Sequence, residues 1–242
     1  MDTDIDLIIA SIPRHWVTFT KLRDLYKPKA KVICQSGNIF WENEEALKDG
    51  TVKNLLASVK PFKIDSSINA VWYHEEAKTI DFKESLSLNK IYSLVNCLPN
   101  PELFRLYKEA LPEYTVKAYG ASCPDGWVNG IDEQYKKMQE ADWGYNVKPS
   151  GDGMGLVWHS WFMIGRPVIT NFSDYKDKLG GLLFEHLKTG IDLEQNNFED
   201  NLRLIRTLDY EQMGIEARKR FFKVINYDEE ELKVRKFIEN LI

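Results

Sequence analysis

An α/β protein of two Rossmann-like lobes on parallel sheets, the first of them truncated, with a helical C-terminal tail, is the fold class this 242-residue sequence predicts. Three observations carry it. Short apolar runs alternate with segments of helical spacing on both sides of the polar stretch 83–90, and β-α-β order implies parallel strands. A glycine-rich turn, Gly151-Asp152-Gly153-Met154-Gly155, opens a segment that is apolar nearly all round. That segment stops at Gly165-Arg166-Pro167 and runs into Val168-Ile169-Thr170, where Pro forbids continuation of the helix and β-branched residues favour a strand.

In order along the chain, residues 6–12 are a short apolar run suited to a buried parallel strand. Residues 14–26 carry Trp16, Phe19, Leu22 and Leu25 at helical spacing and end before Pro28. Strands follow at 30–34 and 69–73, with a helix expected at 54–60 between them. The second half repeats the logic: strand 91–98, helix 101–111 with proline in its first turn, and strand 115–119 ending at Gly120. A polar helix at 132–141 and a strand at 143–148 lead to the glycine turn. Beyond Thr170, helices are expected at about 174–188, 194–207, 210–225 and 228–241. The division this suggests is a short first lobe over 1–92, a second lobe over 93–226, and a helix over 227–242 returning to the first lobe through Leu232, Phe237, Ile238 and Leu241.

Composition narrows the function classes. With 43% hydrophobic and 12% aromatic residues the chain can bury one large core or two modest ones. The net charge of −5, with no stretch read as concentrating Lys and Arg on one face, argues against holding nucleic acid mainly by phosphate neutralisation. Cys34, Cys97 and Cys123 are odd in number and widely spaced, which suggests neither a disulfide framework nor a zinc site and fits a cytoplasmic protein. No apolar run approaches the ~20 residues of a membrane span.

The glycine turn is the most informative segment. A helix that begins at a glycine turn presents free backbone N–H groups to a phosphate, which points to a nucleotide-type ligand; the alternative is a tight loop between two elements. The run from Tyr114 to Thr170 resembles the C-terminal, donor-binding domain of GT-B fold glycosyltransferases, in particular the group that includes relatives of sucrose and glycogen synthases. Lys148-Pro149-Ser150-Gly151-Asp152-Gly153-Met154-Gly155 and Gly165-Arg166-Pro167-Val168-Ile169 match that group's "P-S-x-x-E-G-x-G" and "G-x-P-V-I" in order and spacing. Weaker similarity extends through Thr189-Gly190-Ile191-Asp192 and Glu216-Ala217-Arg218, so it spans roughly residues 90–242.

The resemblance implies a metal-independent transferase that takes a UDP- or GDP-sugar as donor and needs no further cofactor. Its acceptor is unidentified: a saccharide, a protein or a modified DNA base. Asp152 stands where the family's first acid touches the transferred sugar, and Ser160 where its second acid binds ribose. Gly153, Met154, Gly155 and Ser150 would surround the diphosphate, with Lys148 and Arg166 as neighbouring cations, Tyr145 beside the base, and Gly120 at the preceding strand end. From the first lobe, Arg14 and His15 follow a strand end, where open α/β sheets place ligands. His15 is the candidate general base if the reaction inverts. The short first lobe and the Ser160 substitution also fit a non-catalytic sugar-nucleotide-binding module, a homo-oligomer, or a subunit needing a partner chain.

Overall fold

The computed structural model describes residues 5–36, 44–57, 66–74, 89–95, 98–149, 156–176 and 178–242. The chain forms two compact units: Met1–Glu76 with Asp177–Leu179 and Asn226–Ile242, and Ala77–Lys176 with Gly180–Ile225.

In the first unit, β1 (Leu7–Ala10), a 3-10 turn (Pro13–His15), α1 (Trp16–Tyr26), β2 (Lys31–Ser36), α2 (Glu44–Lys48), β3 (Asn54–Ala57) and β4 (Asn69–Trp72) follow in order. The strands form one parallel sheet in the order β1-β2-β3-β4. Their two-residue period feeds two cores. Ala10, Val32, Cys34, Leu55 and Ala57 pack with Trp16 of α1 and with Ala46 and Leu47 of α2. Ile33, Leu56 and Val71 on the opposite face meet Val234, Phe237 and Ile238 of the chain's last helix, α8 (Tyr227–Glu239). Trp16 is fully buried, and its indole N–H donates to the carbonyls of Ala10 at 3.1 Å and Gln35 at 3.3 Å. That pins the start of α1 across the ends of β1 and β2.

One expectation fails here. Residues 54–57 are a strand, not part of a helix, and the helix between β2 and β3 is α2. Leu55 and Ala57 serve one core and Leu56 the other, so β3 is apolar on both faces, a pattern that periodicity cannot separate from a buried helix.

The second unit contains β5 (Lys90–Leu94), α3 (Pro101–Ala110), β6 (Thr115–Tyr119), α4 (Gly130–Glu140), β7 (Trp143–Asn146), α5 (Leu156–Met163), β8 (Val168–Thr170), β9 (Gly190–Asp192), α6 (Phe198–Thr207) and α7 (Tyr210–Val224). Its five strands are parallel in the order β6-β5-β7-β8-β9. Ile91, Val116, Trp143, Tyr145, Ile169 and Ile191 pack on one face against α3, α6 and α7. α5 lies against the sheet as well. It is buried from Trp158 to Met163, as its all-round apolar sequence requires, and a side chain on Gly144 would come within 2.5 Å of the Trp161 indole.

The helix expected at about 174–188 is absent. Two 3-10 segments, Phe172–Asp174 and Leu179–Leu183, stand there instead, followed by the unforeseen strand β9. The backbone packs closely here: a Cβ on Gly181 would lie 2.2 Å from the Tyr175 carbonyl oxygen, and one on Gly190 2.2 Å from that of Val168 on the paired strand.

Candidate functional site

In the second sheet the chain leaves β5 towards β6 and then returns to place β7 on the other side of β5. The carboxyl end of this β5/β7 junction is the topological switch point at which open α/β sheets bind ligands. β7 leads through Val147, Lys148 and Pro149 into the glycine turn, and α5 begins at Leu156. Ser150, Asp152, Gly153, Met154 and Gly155 lie outside the described residues.

Both stems of that turn are held by a polar belt along the ends of β7, β8 and β9. Asn171 accepts from the backbone N–H of Lys148 at 2.9 Å and donates to its carbonyl at 3.2 Å, extending β7 past its last sheet residue. The Asn171 amide also donates to the Asp174 carboxylate. Asn146 donates to the Tyr175 hydroxyl at 2.8 Å, and its carbonyl accepts from Thr170 at 2.9 Å. On the α5 side, Trp158 stacks on Tyr175 with ring centroids 4.1 Å apart and donates to the Gly180 carbonyl at 2.8 Å. Asp192, buried at the end of β9, accepts from the N–H groups of Phe172 at 3.0 Å and Glu194 at 3.1 Å. Its own N–H donates to Nδ1 of His186 at 3.0 Å, so that imidazole is an acceptor there, and burial holds its pKa below the ordinary value.

The belt was not foreseen from sequence. The one local signal is Asn171 directly after a short strand, a residue type that closes turns through its side chain.

The sequence-predicted residues fall in several places. Lys148 is at the exit of β7, fixed by Asn171. Gly120, with φ 152°, donates to the Gly126 carbonyl at 2.9 Å and accepts from Cys123 at 3.1 Å, closing the loop after β6. Tyr145 turns its ring into the core against Phe104 (5.3 Å) and Tyr107 (6.2 Å), and burial pushes its hydroxyl pKa well up. Ser160 is fully buried with Oγ 3.4 Å from the Tyr135 hydroxyl of α4. Arg166 precedes β8, at the amino end of the sheet. Its guanidinium donates to the carbonyls of Gly165 at 3.2 Å and Gln139 at 2.9 Å, and burial depresses its pKa against the opposing charge of Asp142.

In the first unit Arg14 and His15 are exposed in the turn after β1. At the end of the same sheet, just past β4, His74 is clamped by one carboxylate. Its N–H donates to Glu230 of α8 at 2.6 Å, and Nδ1 lies 2.5 Å from the same carboxylate. A carboxylate on Nδ1 fixes the orientation of the ring. The pairing of His74 with Glu230, 156 positions apart, left no trace in local sequence. Among the described residues no group of His, Cys, Asp and Glu is placed to hold a metal ion, and no helix is long and apolar enough to cross a membrane.

The sequence matches no protein-family model and no curated protein. Among solved structures the chain is similar to the Anabaena protein HepE in complex with UDP and glucose, with a TM-score of 0.71 and 10% identity over 97% of this chain and 77% of that one. It is also similar to sucrose-phosphate synthase from Thermosynechococcus elongatus, at 0.65 and 11% over 98% and 73%. Trehalose-6-phosphate synthase OtsA gives 0.60 and 11% over 98% and 72%. At these identities the likeness is one of fold. The chain has the GT-B fold, two parallel α/β sheets in one chain, in agreement with the resemblance carried by the glycine turn.

Proposed function

We propose that this chain is a metal-independent glycosyltransferase that moves a sugar from a UDP- or GDP-sugar to an acceptor. The observation that carries the reading is the sheet order: β7, after which the glycine motif follows in sequence, ends at the switch point, and the Asn171 and Trp158 contacts hold the described residues on either side of the motif. Breaking the bond between sugar and diphosphate builds negative charge on the leaving phosphate. The chemistry therefore asks for N–H donors aimed at that oxygen more than for a strong nucleophile. The N–H groups of Gly153 to Gly155, together with the positive end of α5, would supply them. Asp152 would accept hydrogen bonds from the sugar hydroxyls, and Lys148 stands beside the turn. Arg14 and His15, at the first sheet's carboxyl edge, are proposed for the acceptor. We assign no ligand contact to Arg166 or Tyr145, whose polar groups are turned into the protein interior. The cytoplasm is the proposed compartment, a reading supported by the odd number and wide spacing of the cysteines, of which Cys34 and Cys123 are free thiols.

A second reading, a binding module without turnover, is favoured by one observation: Ser160, at the position of the family's second acid, is buried against Tyr135. Calorimetric titration with UDP, UDP-glucose and GDP-mannose, paired with an assay for donor hydrolysis, separates the two. Binding with release of free sugar supports the transferase; binding without release supports the module. Absence of binding by every nucleotide would refute both. In the same assay Asp152→Asn is expected to weaken UDP-glucose by about 1–3 kcal/mol while leaving UDP nearly unchanged. Equal losses for the two ligands would reduce Asp152 to a helix cap.

A further inference from the structure

α1 departs from the pattern of an ordinary surface helix, whose solvent stripe is polar. Thr18, Lys21, Leu22, Leu25 and Tyr26 recur at i, i+3, i+4, i+7 and i+8, and all are exposed. Leu25 and Tyr26, 73% and 72% exposed, are the most exposed large apolar side chains among the described residues, and Leu22 is 44% exposed. The stripe cannot turn inward, because Trp16 on the opposite face is fully buried and hydrogen-bonded to the ends of β1 and β2.

Along residues 7–36 the charge is one-sided. Between residues 7 and 36 the only acidic residue is Asp24, paired with Arg23 at 2.6 Å, while Arg14, Lys21, Lys29 and Lys31 are exposed. This occurs in a chain whose net charge is −5. Aliphatic and tyrosyl side chains rimmed by cations match the boundary layer of an anionic bilayer, where apolar groups enter between headgroups and ammonium groups meet lipid phosphates.

We propose that the exposed face of α1 docks on an anionic lipid surface. Leu22, Leu25 and Tyr26 enter the headgroup layer, while Lys21 and Lys29 contact phosphates. A second copy of the chain is a poorer occupant, since a two-fold axis would set lysines against lysines. The surface belongs to the first unit alone and does not depend on the donor reading.

Co-sedimentation of the full chain with vesicles of phosphatidylcholine alone, and of phosphatidylcholine mixed equally with phosphatidylglycerol, tests the proposal. Binding to the mixed vesicles, weakened by salt and absent on phosphatidylcholine, is expected. Lys21→Gln and Lys29→Gln should each weaken it about fivefold, the equivalent of about 1 kcal/mol per cation near such a surface. The double change Leu25→Ser/Tyr26→Ser should abolish binding with an unaltered circular dichroism spectrum, both side chains being exposed. No binding to the mixed vesicles, equal binding to both kinds, or full binding by the double variant would overturn the proposal. So would self-association without lipid that the double variant removes, since that outcome names a second copy as the occupant.

Discussion

At the exit of β7 one amide side chain holds two backbone groups: Asn171 meets both the N–H and the C=O of Lys148. Asn171→Ala strips both partners from a half-buried stem and is expected to cost about 1–3 kcal/mol in urea unfolding. Under the proposed function it should also weaken UDP-glucose, because the glycine turn begins three residues after Lys148. Full stability and affinity in this variant would show that the stem is held elsewhere. His186 gives a pH dependence whose sign follows from its bond. Its Nδ1 accepts from the Asp192 N–H, so the fold favours neutral imidazole, and burial lowers its pKa below the ordinary value of about 6.5. A depressed histidine contributes its stability in full above the unfolded value, and that contribution is lost as pH falls through the folded one. Melting temperatures of the wild type and His186→Gln, compared from pH 7.5 down to 5, are therefore expected to converge as the pH drops. A gap that widens on acidification would contradict this assignment.

Between elements, the close approach of α7 to the end of α5 sets the limits. A Cβ on Gly214, inside α7, would lie 2.3 Å from the Gly165 carbonyl oxygen. Helix propensity alone makes Gly214→Ala a gain of about 1 kcal/mol. The clash is with backbone rather than with a flexible side-chain end, and overpacking of this kind costs about 1–3 kcal/mol. Net destabilisation is expected in chemical denaturation, and a more stable variant would mean that α7 can shift freely. Arg218 of α7 adds a second tie, donating to the Met163 carbonyl at the last residue of α5. The helix that carries the glycine turn is thus braced from behind by a helix whose sequence reads only as charged and amphipathic.

At the scale of the whole molecule, the first sheet is completed by the last helix of the chain. Phe237 of α8, 5% exposed, packs with Ile33 of β2 and Leu56 of β3. Phe237→Ala is expected to cost about 3–5 kcal/mol, the range for emptying a buried aromatic site. A stability change below 1 kcal/mol would show that α8 is a detachable strap. The His74–Glu230 clamp secures the first turn of the same helix.

What the sequence alone determined was whatever local chemistry dictates. Alternating apolar runs and helical spacing yielded the parallel α/β class and most elements, and the all-round apolar segment after Gly155 foretold the burial of α5. Gly165 and Pro167 marked the end of that helix correctly, because a positive φ of 71° and a missing N–H are properties of single residues. Only the tertiary structure decided the rest. β3 looked helical because a strand apolar on both faces carries no period, and β9 was invisible because three residues become a strand only when β8 offers them partners. Asn171 with Lys148, Asp192 with His186 and His74 with Glu230 are pairings whose partners local preference does not specify, even where, as at Asn171, the residue type itself marks a turn. Arg166 shows the same limit from the other side: its place in the motif made it a candidate cation for the phosphates, whereas the fold stands it at the amino end of β8, where its buried guanidinium bonds nearby carbonyls.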